Sequence, residues 1–197
     1  KIYVVMGGGR GPLDPSVLLF PAYITVFIDF LGYSSTVVIL PYISIEQNAT
    51  AFEVMCATTG IFYAGQIVGS TIMGYVSDKI GRRPVILMSL LGCCVSYIWC
   101  IYVQDVYELM AARLMGGIMG GTLPVVQAMV LDVVKDPVER AGCLSRVNAS
   151  FGMAFAVGPA LGTLINEKFG KRAVFVATAL ITCACSLYAA AKLTETN

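Results

Sequence analysis

Gly74-Tyr75-Val76-Ser77-Asp78-Lys79-Ile80-Gly81-Arg82-Arg83-Pro84 lies between two long apolar runs and packs four charged side chains into six consecutive residues. Each position has a physical reading. Gly74 has no side chain and would let the end of one helix approach a neighbour closely. Asp78 is an anion placed where it can meet a positive helix N-terminus or an arginine. Gly81 permits a tight turn that few other residues adopt. Pro84 suits the first turn of the helix that follows. A basic turn at a membrane surface would account for Arg82 and Arg83 alone. It would not account for Asp78 or for the glycine spacing G-x-x-x-D-x-x-G-R-R.

Outward from this stretch the chain is apolar. Of 197 residues, 57% are hydrophobic and 13% charged, with a mean hydropathy of +0.79. Soluble domains carry roughly 25% charged residues, so lipid is expected to cover much of this surface. A bilayer span needs about 20 mostly apolar residues. Six stretches qualify, at about 17–41, 52–76, 84–104, 107–131, 143–166 and 173–191. The expected organisation is a lead-in over 1–16, a six-helix transmembrane domain over 17–192, and the start of a tail or linker over 193–197. Met6-Gly7-Gly8-Gly9-Arg10-Gly11-Pro12 is not followed by a strand–helix unit, so it reads as part of the lead-in and not as a phosphate loop. The chain opens on Lys1, so residues upstream are expected, and the first apolar run is too long for a cleavable signal peptide.

Charge and composition exclude several classes. A net charge of +1 argues against an electrostatic nucleic-acid binder. Histidine is absent, which removes the commonest metal ligand and the usual neutral-pH acid–base group. No nucleophile–base set is visible, so no enzyme, cofactor or metal site is expected. Cys56, Cys93, Cys94, Cys100, Cys143, Cys183 and Cys185 form no CxxC pair and read as small packing residues.

Lysine and arginine set an expected orientation. One side holds Lys1, Arg10, Lys79, Arg82, Arg83, Lys135, Arg140, Arg146 and Lys192. The other holds Lys168, Lys171 and Arg172. Both ends are therefore expected in the cytoplasm or its equivalent. Asn48-Ala49-Thr50 would then be a glycosylation sequon on the far side. The three exceptions belong to an internal echo. Ile80-Gly81-Arg82-Arg83-Pro84-Val85-Ile86 resembles Phe169-Gly170-Lys171-Arg172-Ala173-Val174-Phe175, three spans later. An odd number of spans inverts the second copy, as in transporters built from inverted repeats.

The loop from Gly74 to Pro84 resembles the hallmark loop of the major facilitator superfamily. Three further matches follow in helices one, four and five. Asp29-Phe30-Leu31-Gly32, with Pro41 twelve residues after the aspartate, resembles the first helix of drug:proton antiporters. Arg113-Leu114-Met115-Gly116-Gly117 resembles the family's intramembrane arginine motif. Gly158-Pro159-Ala160-Leu161-Gly162-Thr163 resembles the antiporter motif G-P-x-x-G-G, with Thr163 in place of the last glycine and Ala154 in place of an earlier one. The segment from Asp132 to Ala141 resembles the loop after helix four in tetracycline-efflux-type proteins. The resemblance runs from about Val17 to Leu193. It implies an all-α membrane fold: six helices as two inverted three-helix repeats, half of a 12-helix transporter.

The resemblance also implies roles. Asp78 would bind a helix of a second six-helix half, supplied by the same chain, a second copy or another subunit. Asp132 would pair with Arg82 as a second latch beside Gly74, Gly81 and Arg83. Arg113 would tune the protonation of a neighbouring carboxylate. The implied activity is export of a small organic solute, cationic ones included, by proton antiport. A uniporter or symporter stays open, as does a transport-inactive half serving as a membrane scaffold.

Intramembrane polar groups are the candidate site. A lone ionised carboxylate near mid-membrane costs about 2.5–3.5 kcal/mol even on lenient scales. Asp29 must therefore be protonated, hydrated or paired. It reads either as a proton or cationic-substrate site, or as a structural pair with Arg113 or a helix cap. Arg113 either faces the bundle interior or snorkels to the interface. Gln66, Gln127 and Asn148 either line a cavity or make interhelical hydrogen bonds. Tyr23, Phe27, Phe30, Tyr33 and Tyr63 either floor a cavity or pack. Gly65-xxx-Gly69, Gly116-xxx-Gly120 and Gly117-xxx-Gly121 would allow close helix contacts. Gly158, Pro159 and Gly162 would mark a kink in helix five.

Overall fold

A computed structural model describes residues 15–193. The glycine-rich part of the expected lead-in and residues 194–197 lie outside the described residues. Six helical spans are long and apolar enough to cross a membrane. The first comprises α1 (Pro15–Val37) and α2 (Leu40–Glu46). The second comprises α3 (Ala51–Met55), a π-helical turn (Cys56–Gly60) and α4 (Ile61–Ile80). The third is α5 (Arg82–Tyr102). The fourth comprises α6 (Val106–Met119) and α7 (Thr122–Val133). The fifth is α8 (Pro137–Phe169) and the sixth α9 (Lys171–Lys192).

The connections are shorter than the sequence suggests. The expected loop 77–83 shrinks to Gly81, and the loop 167–172 to Gly170. Both glycines adopt a left-handed φ, 102° at Gly81 and 85° at Gly170, with ψ of 160° and 169°. One such residue closes the outgoing helix and opens the next, a conformation costly for any side chain. The charged residues on either side therefore extend the helices instead of forming loops. These are the two corresponding positions of the internal echo, and they share one backbone geometry.

Packing follows the same inverted symmetry. The spans pack chiefly as first with fifth, second with fourth and third with sixth. Exchanging spans one to three with four to six maps the first of these pairings onto the second and the third onto itself. Small residues make the first two pairings possible. A Cβ on Gly158 or Gly162 of α8 would run into Ser34 or Ser35 of α1, and one on Gly69 or Gly117 would run into the Ile118 or Phe62 backbone across the second and fourth spans. The expected close contacts at Gly65, Gly69, Gly116 and Gly117 are thus present.

Gly74 meets no neighbour among the described residues: nothing lies within 4 Å of the Cβ it lacks. Helix α8 is continuous α-helix from Pro137 to Phe169 with Pro159 inside it. Two other spans break, the first at Val38–Ile39 before Pro41 and the fourth at Gly120–Gly121 before Pro124. A proline disrupts the turn before it, and Pro41 sits at the start of α2, where its missing N–H is no loss.

Candidate functional site

Asp29 projects from α1 into the interior and is only 7% exposed. The Thr122 hydroxyl, at the first turn of α7, faces it. Thr122 also lies 3.0 Å from the Ser89 hydroxyl of α5. Ser89 in turn accepts the Gly121 N–H at 3.0 Å and donates to the Met119 carbonyl. One serine therefore braces both sides of the break in the fourth span, which also meet directly through the Gly121 N–H and the Met119 carbonyl at 2.8 Å, and that break sits one residue from the group facing Asp29. Gln66 secures the same joint by donating to the Gly120 carbonyl at 3.3 Å.

Arg113 does not snorkel. It is 1% exposed, and its guanidinium lies 4.6 Å from the centre of the Phe62 ring and 5.3 Å from that of Tyr33. The two rings are themselves 4.5 Å apart. Arginine stacks well on aromatic faces because its charge is spread over a plane and weakly hydrated. Among the described residues no ion pair joins Asp29 and Arg113, so the structural-pair reading of Asp29 is not what forms. Phe62 was not singled out in the sequence. It looks like any apolar helix residue, and only the fold brings it over Arg113.

Gln127 donates to Asn148 at 3.3 Å, joining α7 to α8. Gln66, Gln127 and Asn148 therefore make interhelical hydrogen bonds. Of the aromatic set, Phe30 meets Phe151 edge-on at 4.7 Å, and Tyr33 meets Phe62 and Tyr63. Tyr23 and Phe27 line a groove of about 680 Å³ between α1 and α8, with Phe20 on the same helix and Arg146, Ser150 and Met153 opposite.

At the helix ends near Gly81, Arg82 gathers three groups. Its guanidinium lies 2.6 Å from Asp78, 2.8 Å from Asp132 and 2.6 Å from the Ser77 hydroxyl. The Arg82 side chain is 11% exposed, while Asp78 is 63% exposed. Arg83 donates to the Ala190 carbonyl at 2.5 Å, tying α5 to the end of α9. On the opposite side Lys171 forms an ion pair with Glu46.

The family profile described as Major Facilitator Superfamily matches residues 22–197. The chain belongs to that superfamily. Among curated relatives, the class B tetracycline resistance protein of Escherichia coli is 28% identical over 164 residues, 81% of this chain and 40% of the relative. The class H protein of Pasteurella multocida is 31% identical over 147 residues, 71% of this chain and 35% of the relative. The multidrug resistance protein MdtG of Proteus mirabilis is 26% identical over 172 residues, covering 85% and 42%. The chain thus spans about two fifths of the length of these relatives. The human organic anion transporter MFSD10 (TETRAN) superposes with a TM-score of 0.79 at 21% identity, over 95% of this chain and 49% of that one. A bacterial homolog of the human lysosomal transporter Spinster superposes with a TM-score of 0.82 at 14% identity, over 96% and 45%. At these identities the structures speak for the fold: six transmembrane helices, half of a major facilitator architecture, in an integral multi-pass membrane protein.

Proposed function

We propose that this chain is the amino-terminal half of a proton-coupled exporter of a small organic solute, working by alternating access with a second six-helix half. The observation that carries the reading is Asp29, a carboxylate 7% exposed inside a membrane-spanning helix, with no cation paired to it among the described residues. A carboxylate so placed favours its neutral form and takes up a proton that a hydrated site would release. The tetracycline and multidrug resistance proteins among its relatives are consistent with export. On this reading Arg113 sets the field around the proton site from between its two rings. Residues 17–192 form the N-domain, and both of its ends face the cytoplasm, where most of the lysines and arginines lie. Asp78, Arg82 and Asp132, with the open Gly74, form the cytoplasmic latch against the second half.

The test is solute flux in proteoliposomes holding the intact protein that contains this chain, driven by an imposed pH gradient. Asp29→Asn should abolish gradient-driven flux, by about a hundredfold or more, because an amide carries no proton across. Energy-independent exchange of solute should continue. Gradient-driven flux at the unsubstituted rate in Asp29→Asn would remove proton coupling from this residue.

A further inference from the structure

We propose that the groove between α1 and α8 is a binding site for an amphiphilic organic anion, a small solute with an apolar body and one acidic group. Its role as a solute site rests on the transport reading above; its charge preference does not. Two helical stripes face each other. Phe20, Tyr23 and Phe27 stand at i, i+3 and i+7 on α1, and Arg146, Ser150 and Met153 at i, i+4 and i+7 on α8. The space of about 680 Å³ is in the range that drug-sized solutes fill, ~300–1,000 Å³.

Two polar groups stand side by side at the groove. Arg146 forms no ion pair among the described residues. Tyr23 is 8% exposed, and its buried hydroxyl makes no hydrogen bond of ordinary geometry, although the Arg146 guanidinium and the Cys143 thiol lie beside it. Both groups are donors, and no carboxylate among the described residues lines the groove. Asp29 is excluded by helix geometry. Two residues beyond Phe27 is about 200° around α1, and Asp29 faces Thr122 instead. The groove therefore offers apolar walls and one exposed cation, with the Tyr23 hydroxyl enclosed beside it. A solute carrying a carboxylate or sulfonate gives Arg146 a counter-charge, and a cationic solute does not.

Calorimetry on the intact protein in zwitterionic nanodiscs tests this with two rigid probes, 1-naphthalenesulfonate and 1-naphthyltrimethylammonium, against empty nanodiscs. The anion should bind at least about tenfold tighter, the value of one charge-assisted hydrogen bond. Arg146→Gln should remove that preference and leave the cation unchanged. Arg146→Lys should retain most of it. Met153→Trp, which fills the groove, should abolish binding of both probes. Equal binding of the two probes, or an unaltered anion affinity in Arg146→Gln or Met153→Trp, would overturn the assignment. Loss of anion binding in nanodiscs containing phosphatidylglycerol would also overturn it, because the occupant would then be a lipid headgroup. Anion binding without solute flux in proteoliposomes would support the site and count against transport. Cation flux without anion preference would do the reverse.

Discussion

Two nitrogens of the Arg113 guanidinium, Nε and Nη2, are buried without a hydrogen-bond partner. What they have instead is the ring faces of Phe62 and Tyr33. Cation–π contacts reach about 2 kcal/mol when desolvated, and here they are the chief visible compensation for a buried charge. Phe62 should therefore matter only as long as Arg113 is charged. Phe62→Leu should destabilise the protein by about 1–2 kcal/mol. The same substitution in an Arg113→Leu background should cost far less, since no charge is left to orphan. A double-mutant cycle by denaturant titration in detergent would measure the coupling. Strictly additive losses would mean the rings merely fill space. Arg113 shows where the sequence was legible and where it stopped. Depth in an apolar run marked it as a costly charge, but an arginine near a helix end can also be read as snorkelling. Which way it turns depends on Phe62, 51 residues away in the chain.

The fourth span shows the same limit at the scale of an element. From sequence it is one helix rich in glycine; in the structure it is α6 and α7, separated at Gly120–Gly121. A break in a membrane helix exposes backbone groups that lipid cannot satisfy, so they must be paired within the protein. Ser89 does this with one hydroxyl, accepting from Gly121 and donating to Met119. Ser89→Ala would leave the Gly121 N–H and the Met119 carbonyl with only their mutual 2.8 Å hydrogen bond, at a cost of about 1 kcal/mol. Because Thr122 touches both Ser89 and Asp29, the variant should also disturb gradient-driven flux more than its loss of stability explains. Ser89→Thr, which keeps the hydroxyl, should restore most of both. The measurements are thermal unfolding in detergent and flux per folded protein; an Ala variant with unchanged unfolding would mean that the Gly121–Met119 hydrogen bond holds the joint without Ser89. The kink was expected at Pro159 of α8, and Pro124 was not singled out. The fourth span breaks four residues before Pro124, which cannot donate to the Gly120 carbonyl and leaves it to Gln66. The proline marks where the break can fall, but no local pattern records which neighbour satisfies the freed backbone. The turns at Gly81 and Gly170 were legible for the opposite reason: the φ they require is a property of one residue.

The six spans do not cover one another equally. Within their most apolar stretches, 61% of the first span is buried against its neighbours, but only 22% of the second and 22% of the fifth. These two spans correspond under the inverted repeat, and their open faces hold polar groups as well as apolar ones: Thr71 and Asp78 on one, Arg146 and Asn148 on the other. Lipid alone would be a poor match for such faces, which suits a second half and a solute path. Gly74, empty on its outer side, and Asp78, 63% exposed, stand where the second span would meet that half. Arg82 holds both acids of the proposed latch at once, so removing either leaves the other ion pair in place. Exposed ion pairs are worth about 0–1 kcal/mol, so a single neutralisation is a modest perturbation, whereas removing both takes two carboxylates from a side chain only 11% exposed. Asp132→Asn should therefore have a small effect on the cytoplasmic closure of the intact protein. Asp78→Asn should have a larger one, because it also removes the group offered to the second half. The double variant should exceed the sum of the two. Closure is read from the rate at which a membrane-impermeant maleimide modifies a single cysteine placed at Ala149, in a background with the native cysteines replaced. Several-fold faster modification in the double variant would be the latch opening. Equal effects of Asp78→Asn and Asp132→Asn would confine both residues to pairing with Arg82 and leave the second half to be held elsewhere.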